Sequence, residues 1–73
     1  MLFQDLRVGD YFHFGLEYDT EGNKIRFQKI QPVERAFSSN GQRSFLVNAA
    51  DVTGGCYHRL GIEDDREVYK LED

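Results

Sequence analysis

The sequence predicts an all-β protein, a small SH3-like barrel of five or six strands joined by antiparallel hairpins. Three observations carry this expectation. Apolar residues alternate with period two along most of the chain, and no window of eleven or more residues holds a helical repeat. Turn chemistry recurs at short intervals, with its strongest instance at Asn40-Gly41. With no helix to cover a sheet face, closure is the way so short a set of strands shields its edges.

The first element is a corner, Asp5 to Asp10. Leu6 and Val8 are expected to point inward, Gly9 to permit the change of direction, and Asp10 to accept hydrogen bonds from the amides freed there. The first strand follows over Asp10 to Tyr18, with Phe12, Phe14, Leu16 and Tyr18 on one face and Gly15 marking a bulge or bend. Asp19 to Asn23 is turn chemistry that closes the first hairpin.

The second strand, Lys24 to Gln31, carries Ile25 and Phe27 on one phase and Ile30 on the other, so a bulge is expected near Gln28-Lys29. Pro32 lacks an amide donor and belongs at an edge or boundary. A third strand is expected over Val33 to Ser39, returning through Asn40-Gly41 to a fourth over Arg43 to Ala50. Asp51 to Gly55 turns the chain into Cys56 to Leu60. A polar corner at Ile62 to Asp65 precedes the last strand, Glu67 to Leu71.

At 73 residues the chain forms a single domain over 1–73. Ordering costs roughly 1.5 kcal/mol per residue, which nearly cancels the hydrophobic gain of so small a core and leaves little for a deep catalytic cavity. Six Phe and four Tyr, with no Trp, are the main core material. A single cysteine, Cys56, forms no intramolecular disulfide, and no apolar run follows Met1, so a cytoplasmic, non-membrane setting is expected.

The opening residues Phe3, Asp5, Leu6, Val8, Gly9, Asp10 and Phe12 fit a pattern F-x-D-L-x-V-G-D-x-F. In this the chain resembles a set of small bacterial and bacteriophage proteins. Lys29-Ile30, Ala36, Thr53-Gly54 and Asp65 to Val68 look like further counterparts. The resemblance implies a compact β-barrel from a bacterial or phage source and transfers no catalytic residue.

Charge is unevenly placed. Residues 1–23 sum to −4, 24–43 to +4, 44–60 to zero and 61–73 to −4. The net charge of −4 argues against a constitutive binder of nucleic acid or anionic membranes. The basic middle is the candidate contact surface, with Arg26, Lys29, Arg35 and Arg43 as its cations and Tyr11 and Tyr57 as amphipathic anchors. The expected function is that of a non-enzymatic module for a protein partner, for instance a phage-encoded inhibitor of a host protein. The alternative is a single-strand nucleic-acid binder using the same cations with Phe27 and Phe37 as stacking platforms. A free strand edge also offers a route to a homodimer.

Chemical constellations are sparse. Cys56 and His58 lie two apart on a candidate strand, and His13 joins them only if the strands carrying them are neighbours. Neither C-x₂-C nor H-x₃₋₅-H spacing occurs, so a packed thiol beside a surface histidine is expected, with no metal, cofactor or Cys-His nucleophile. Glu63, Asp64, Asp65 and Glu67 lack the calcium-loop pattern and read as a solvated corner.

Overall fold

The computed structural model describes residues 1–36 and 44–72. Among these the chain is all-β. Five strands, β1 (Tyr11–His13), β2 (Phe27–Ala36), β3 (Ser44–Asp51), β4 (His58–Leu60) and β5 (Tyr69–Lys70), form one antiparallel sheet in the order β4-β3-β2-β1-β5. Two three-residue 3-10 turns, Phe3–Asp5 and Thr53–Gly55, complete the elements.

The core forms where the first 3-10 turn lies against β1, β2, β3 and the approach to β5. Phe3, Leu6, Phe12, Ala49 and Val68 are buried there, with Phe14, Phe27, Leu60 and Ile62 packed around them. Phe12 is fully buried, and the Phe3, Phe14 and Phe27 rings surround it with centroids 5.5, 5.5 and 5.7 Å away. The chain's beginning is sewn to the approach to β5. Phe3 N–H donates to Arg66 O, Val68 N–H donates to Met1 O, and Leu2 bridges Glu67 in antiparallel fashion.

The opening corner forms as expected at its polar end. Arg7 N–H donates to the Asp10 carboxylate at 2.9 Å, Asp10 N–H returns to Arg7 O, and Gly9 holds φ = 100°. Leu6 is buried, but Val8 is 55% exposed, because it sits at the tip of this turn rather than on a strand. Strand β1 is also shorter than expected. Phe12 and Phe14 reach the core, whereas Leu16 and Tyr18 are 67% and 57% exposed. At Gly15 the chain leaves the strand, and its N–H bonds the His13 Nδ1 at 3.0 Å.

The Asp19–Asn23 turn closes the first hairpin, flanked by the bridge between Tyr18 and Lys24. Its Asp19 carboxylate accepts N–H groups from Asn23 (2.8 Å) and Glu21 (2.9 Å). The Asn23 amide above all, opposed in part by burial, then the Asn23 side chain and Glu21, hold this carboxyl below its ordinary value of 3.8.

The two strands expected over Lys24 to Gln31 and Val33 to Ser39 merge into one, β2, which begins only at Phe27 and is described as far as Ala36. Pro32 lies inside it. The register shifts between Lys29 and Val33, where β2 takes four steps against two on β3, so Pro32 sits where the ladder is already irregular. The Asn40-Gly41 turn lies outside the described residues. Its flanks pair antiparallel as far as Ala36 with Ser44. Beyond β4 the chain passes so close to β3 that a side chain on Gly61 meets the Leu46 carbonyl oxygen. Asn48, buried on β3, fixes this crossing by accepting from Ile62 N–H (2.7 Å) and donating to Ile62 O (2.8 Å).

Three outcomes test this account. Gly9→Val lowers stability by about 1–3 kcal/mol through backbone strain alone, since open space surrounds the position. Gly61→Ala lowers it by about 1–3 kcal/mol through overpacking, and both losses are read by urea denaturation. For Asp19 the depressed pKa means its stabilisation of the turn is present above pH 3.8 and lost as pH falls through the folded-state value. The amide shifts of Glu21 and Asn23 should therefore titrate with a midpoint below 3.8, and a midpoint at or above it contradicts the assignment.

Candidate functional site

Burying Phe12 decides what the opposite sheet face carries. With side chains alternating along β1, Tyr11 and His13 stand on the face away from the Phe12 ring. Pairing extends this face across the sheet. Tyr11 lies opposite Gln28, Gln28 opposite Ala50 and Ala50 opposite Arg59, which places one cross-strand row over four strands. Ala50 is small and fully buried, so the outlying groups of the row are Tyr11, Gln28 and Arg59.

Arg26 joins the row from the segment before β2. Its backbone is held on both sides, its N–H donating to Thr53 Oγ1 at 3.1 Å and its carbonyl accepting Val52 N–H at 2.9 Å. The guanidinium carbon lies 4.3 Å from the Tyr11 ring centroid, a cation–π contact. At the β4 end Arg59 repeats the arrangement more loosely over Tyr57, at 5.8 Å, and Tyr57 is 55% exposed. The face thus presents tyrosine rings with guanidinium groups beside them.

The expected contact residues divide accordingly. Tyr11 and Arg26 come together, and Tyr57, just before β4, lies beside Arg59 at the far end of the row. Lys29 does not belong to this surface. The register shift falls after Lys29, so the residue keeps the phase of Phe27 and pairs with Ala49 of the core. Its ammonium donates to Phe3 O (3.1 Å) and Leu6 O (2.8 Å) and lies 4.6 Å from the Phe3 ring centroid. It closes the open carbonyl end of the first 3-10 turn. Arg35 pairs in register with Phe45, far along β2 from this row. Arg43 lies outside the described residues, as does Phe37, while Phe27 packs against the core and offers no stacking platform.

Arg59 and Gln28 were not anticipated. The spacing Tyr57-x-Arg59 puts both on one strand face, yet only the pairing of β4 with β3 brings them to Tyr11's side. Cys56 is exposed, not packed, because it follows directly on the second 3-10 turn, before β4 begins. His58 is exposed on β4, with β3 and β2 between it and His13 on β1. Among the described residues no three His, Cys, Asp or Glu side chains are placed to hold a metal ion. None of the described helical turns is long and apolar enough to cross a membrane.

Comparisons with protein-family models, with curated proteins and with solved structures find no match to this chain.

The two lysines of the first hairpin separate structure from surface. Lys29→Met should cost about 2–3 kcal/mol, because it leaves the Phe3 and Leu6 carbonyls without their charged donor. Lys24→Met, at an exposed position, should change stability by less than about 0.5 kcal/mol. Equal urea midpoints for the two variants would remove Lys29 from the structural role.

Proposed function

We propose that the chain is a non-enzymatic interaction module that presents the face of Tyr11, Arg26, Gln28, Tyr57 and Arg59 to a protein partner carrying carboxylates. The observation that carries this reading is the cross-strand row, in which rings and guanidinium groups occur together on one sheet face. Tyrosine and arginine are the residue types that dominate binding energy at protein interfaces, since each combines a large apolar area with directed donors. A guanidinium already seated on a ring loses less freedom on binding, and its fork of N–H donors suits carboxylates. No acidic side chain belongs to the row, so an acidic partner meets complementary charge.

The SH3-like barrel is part of the same proposal. The described sheet is open, with β4 and β5 at its edges, and what supports closure is a second strand long enough, and irregular enough at Lys29 to Val33, to bend and serve both halves of a small barrel. A prokaryotic or phage accessory role in the cytoplasm fits these features and the resemblance in the opening residues.

Single-stranded nucleic acid is the competing occupant, because rings and cations also suit bases and phosphates. An amide NMR titration with a hexaglutamate peptide and with a random-sequence oligonucleotide, each at low and moderate salt, separates them. The protein reading expects the peptide to move Tyr11, Arg26, Gln28 and Arg59, and expects the double change Arg26→Glu, Arg59→Glu to weaken binding by roughly tenfold or more. Oligonucleotide shifts at the same amides, with affinity falling as roughly the 0.7 power of salt per phosphate contact, would replace the protein partner with nucleic acid. A face unmoved by either probe would overturn both.

A further inference from the structure

An open cleft of about 720 Å³ lies beside β5, lined by His13, Gly15, Leu16, Glu17, Tyr18 and Tyr69. Leu16, Tyr18 and Tyr69 are among the large apolar or aromatic residues most exposed among the described residues, at 67%, 57% and 50%. Their exposure is built in. Tyr69 pairs with His13 in the β1–β5 ladder, and the two rings stack with centroids 5.4 Å apart and planes 17° apart. The imidazole is in turn fixed by the Gly15 N–H on its Nδ1, at 3.0 Å. One side of the Tyr69 ring therefore lies along a held partner. At the ring edge stands Gly15, where a Cβ would come within 3.6 Å of Tyr69 Cε2, so the absence of a side chain leaves this approach uncovered. Tyr18 is anchored by its bridge to Lys24, and Glu17 by its carbonyl, which accepts the Ile25 N–H at 2.9 Å.

Within the lining itself the one charged side chain is a carboxylate, and cations stand outside it. Glu17 is the one acidic side chain in the lining, with Asp19 and Glu21 next along the chain. Of the nearby cations, Lys24 lies across the bridge from Tyr18, Lys70 has its ammonium 3.8 Å from the Asp10 carboxylate, and Arg66 lies over the Phe14 ring. Exposed tyrosine faces attract a cation through their negative quadrupole, and a carboxylate beside them adds a salt bridge. We propose that this cleft is a second binding site, which takes an arginine or lysine side chain from a basic segment of a partner protein. The cation rests against Tyr18 and Tyr69, and Glu17 pairs with it. This site lies at the β5 end of the sheet face that carries Tyr11 and is opposite to the Tyr11–Arg26 pair in charge preference.

Amide NMR with a capped hexa-arginine peptide, and a hexaglutamine peptide as the uncharged control, tests the proposal. Saturable shifts centred on Gly15, Glu17, Tyr18 and Tyr69 are expected with the cationic peptide alone. Glu17→Gln and Tyr18→Leu should each weaken binding by roughly threefold to tenfold while the spectrum stays dispersed. The proposal is overturned if these amides do not move, if the shifts centre on the acidic corner Glu63 to Glu67, if hexaglutamine moves the same amides, or if both variants bind as the parent does. Should Tyr18→Leu lose dispersion, Glu17→Gln, a change to an exposed side chain, decides alone.

Discussion

Everything in this fold is arranged around the Phe12 ring. It receives Phe3 edge-on from the first 3-10 turn, Phe14 edge-on from the end of its own strand, and Phe27 nearly parallel from β2. Val68 and Ala49 complete its surroundings from the approach to β5 and from β3. A chain of this size has few large apolar residues to spend, and aromatic pairs add roughly 0.5–1.5 kcal/mol each beyond the area they bury. One ring in contact with three others therefore joins the N-terminal turn, β1 and β2 in a single packing unit. The Lys29 ammonium works beside it, donating to the Phe3 and Leu6 carbonyls over the Phe3 ring.

Both candidate surfaces are consequences of that burial. In a strand of three residues, sending Phe12 to one face sends Tyr11 and His13 to the other, Tyr11 half-buried and His13 buried, and each supports a different part of that face. Tyr11 supports Arg26 and begins the row that runs to Arg59. His13 supports Tyr69 and ends at the Gly15 turn, where the chain lifts away from the sheet. The charge asymmetry of the chain falls on the two in opposite ways. Arg26 and Arg59 border the first, and Glu17, Asp19 and Glu21 border the second, with Lys24 beside them. A small sheet thereby gains two unlike surfaces without a cavity of any depth.

What could be read from the residues was the class of fold, the positions of most turns, and the inward phase of Phe12, Phe14 and Phe27. Alternation and turn chemistry are local properties, and they state these directly. The extent of β1 was not legible, because Leu16 and Tyr18 continue the alternation with nothing to bury them. The union of two expected strands into β2 was hidden by Pro32, whose missing donor is harmless only where the partner strand's register slips. Lys29 illustrates a further limit. A lysine in a basic stretch reads as surface, and its core-facing role depends on carbonyls of Phe3 and Leu6 more than twenty residues earlier. For the site, Tyr11, Arg26 and Tyr57 were legible by type, whereas Arg59 required cross-strand register, which no local pattern encodes.

The seam between the first three residues and Arg66 to Val68 has a consequence for how the molecule assembles. The contacts of β2 with β3 join segments close in sequence, but the hydrogen bond from the Met1 amino group to Val68 O spans 67 positions. The entropy lost in closing a loop grows with its length, so pairings this distant form only after nearer ones have shortened the effective span. Pairing in the middle of the sheet therefore carries the smaller closure cost, and the seam carries the larger, offset by the burial of Phe3 and Val68 against the Phe12 ring.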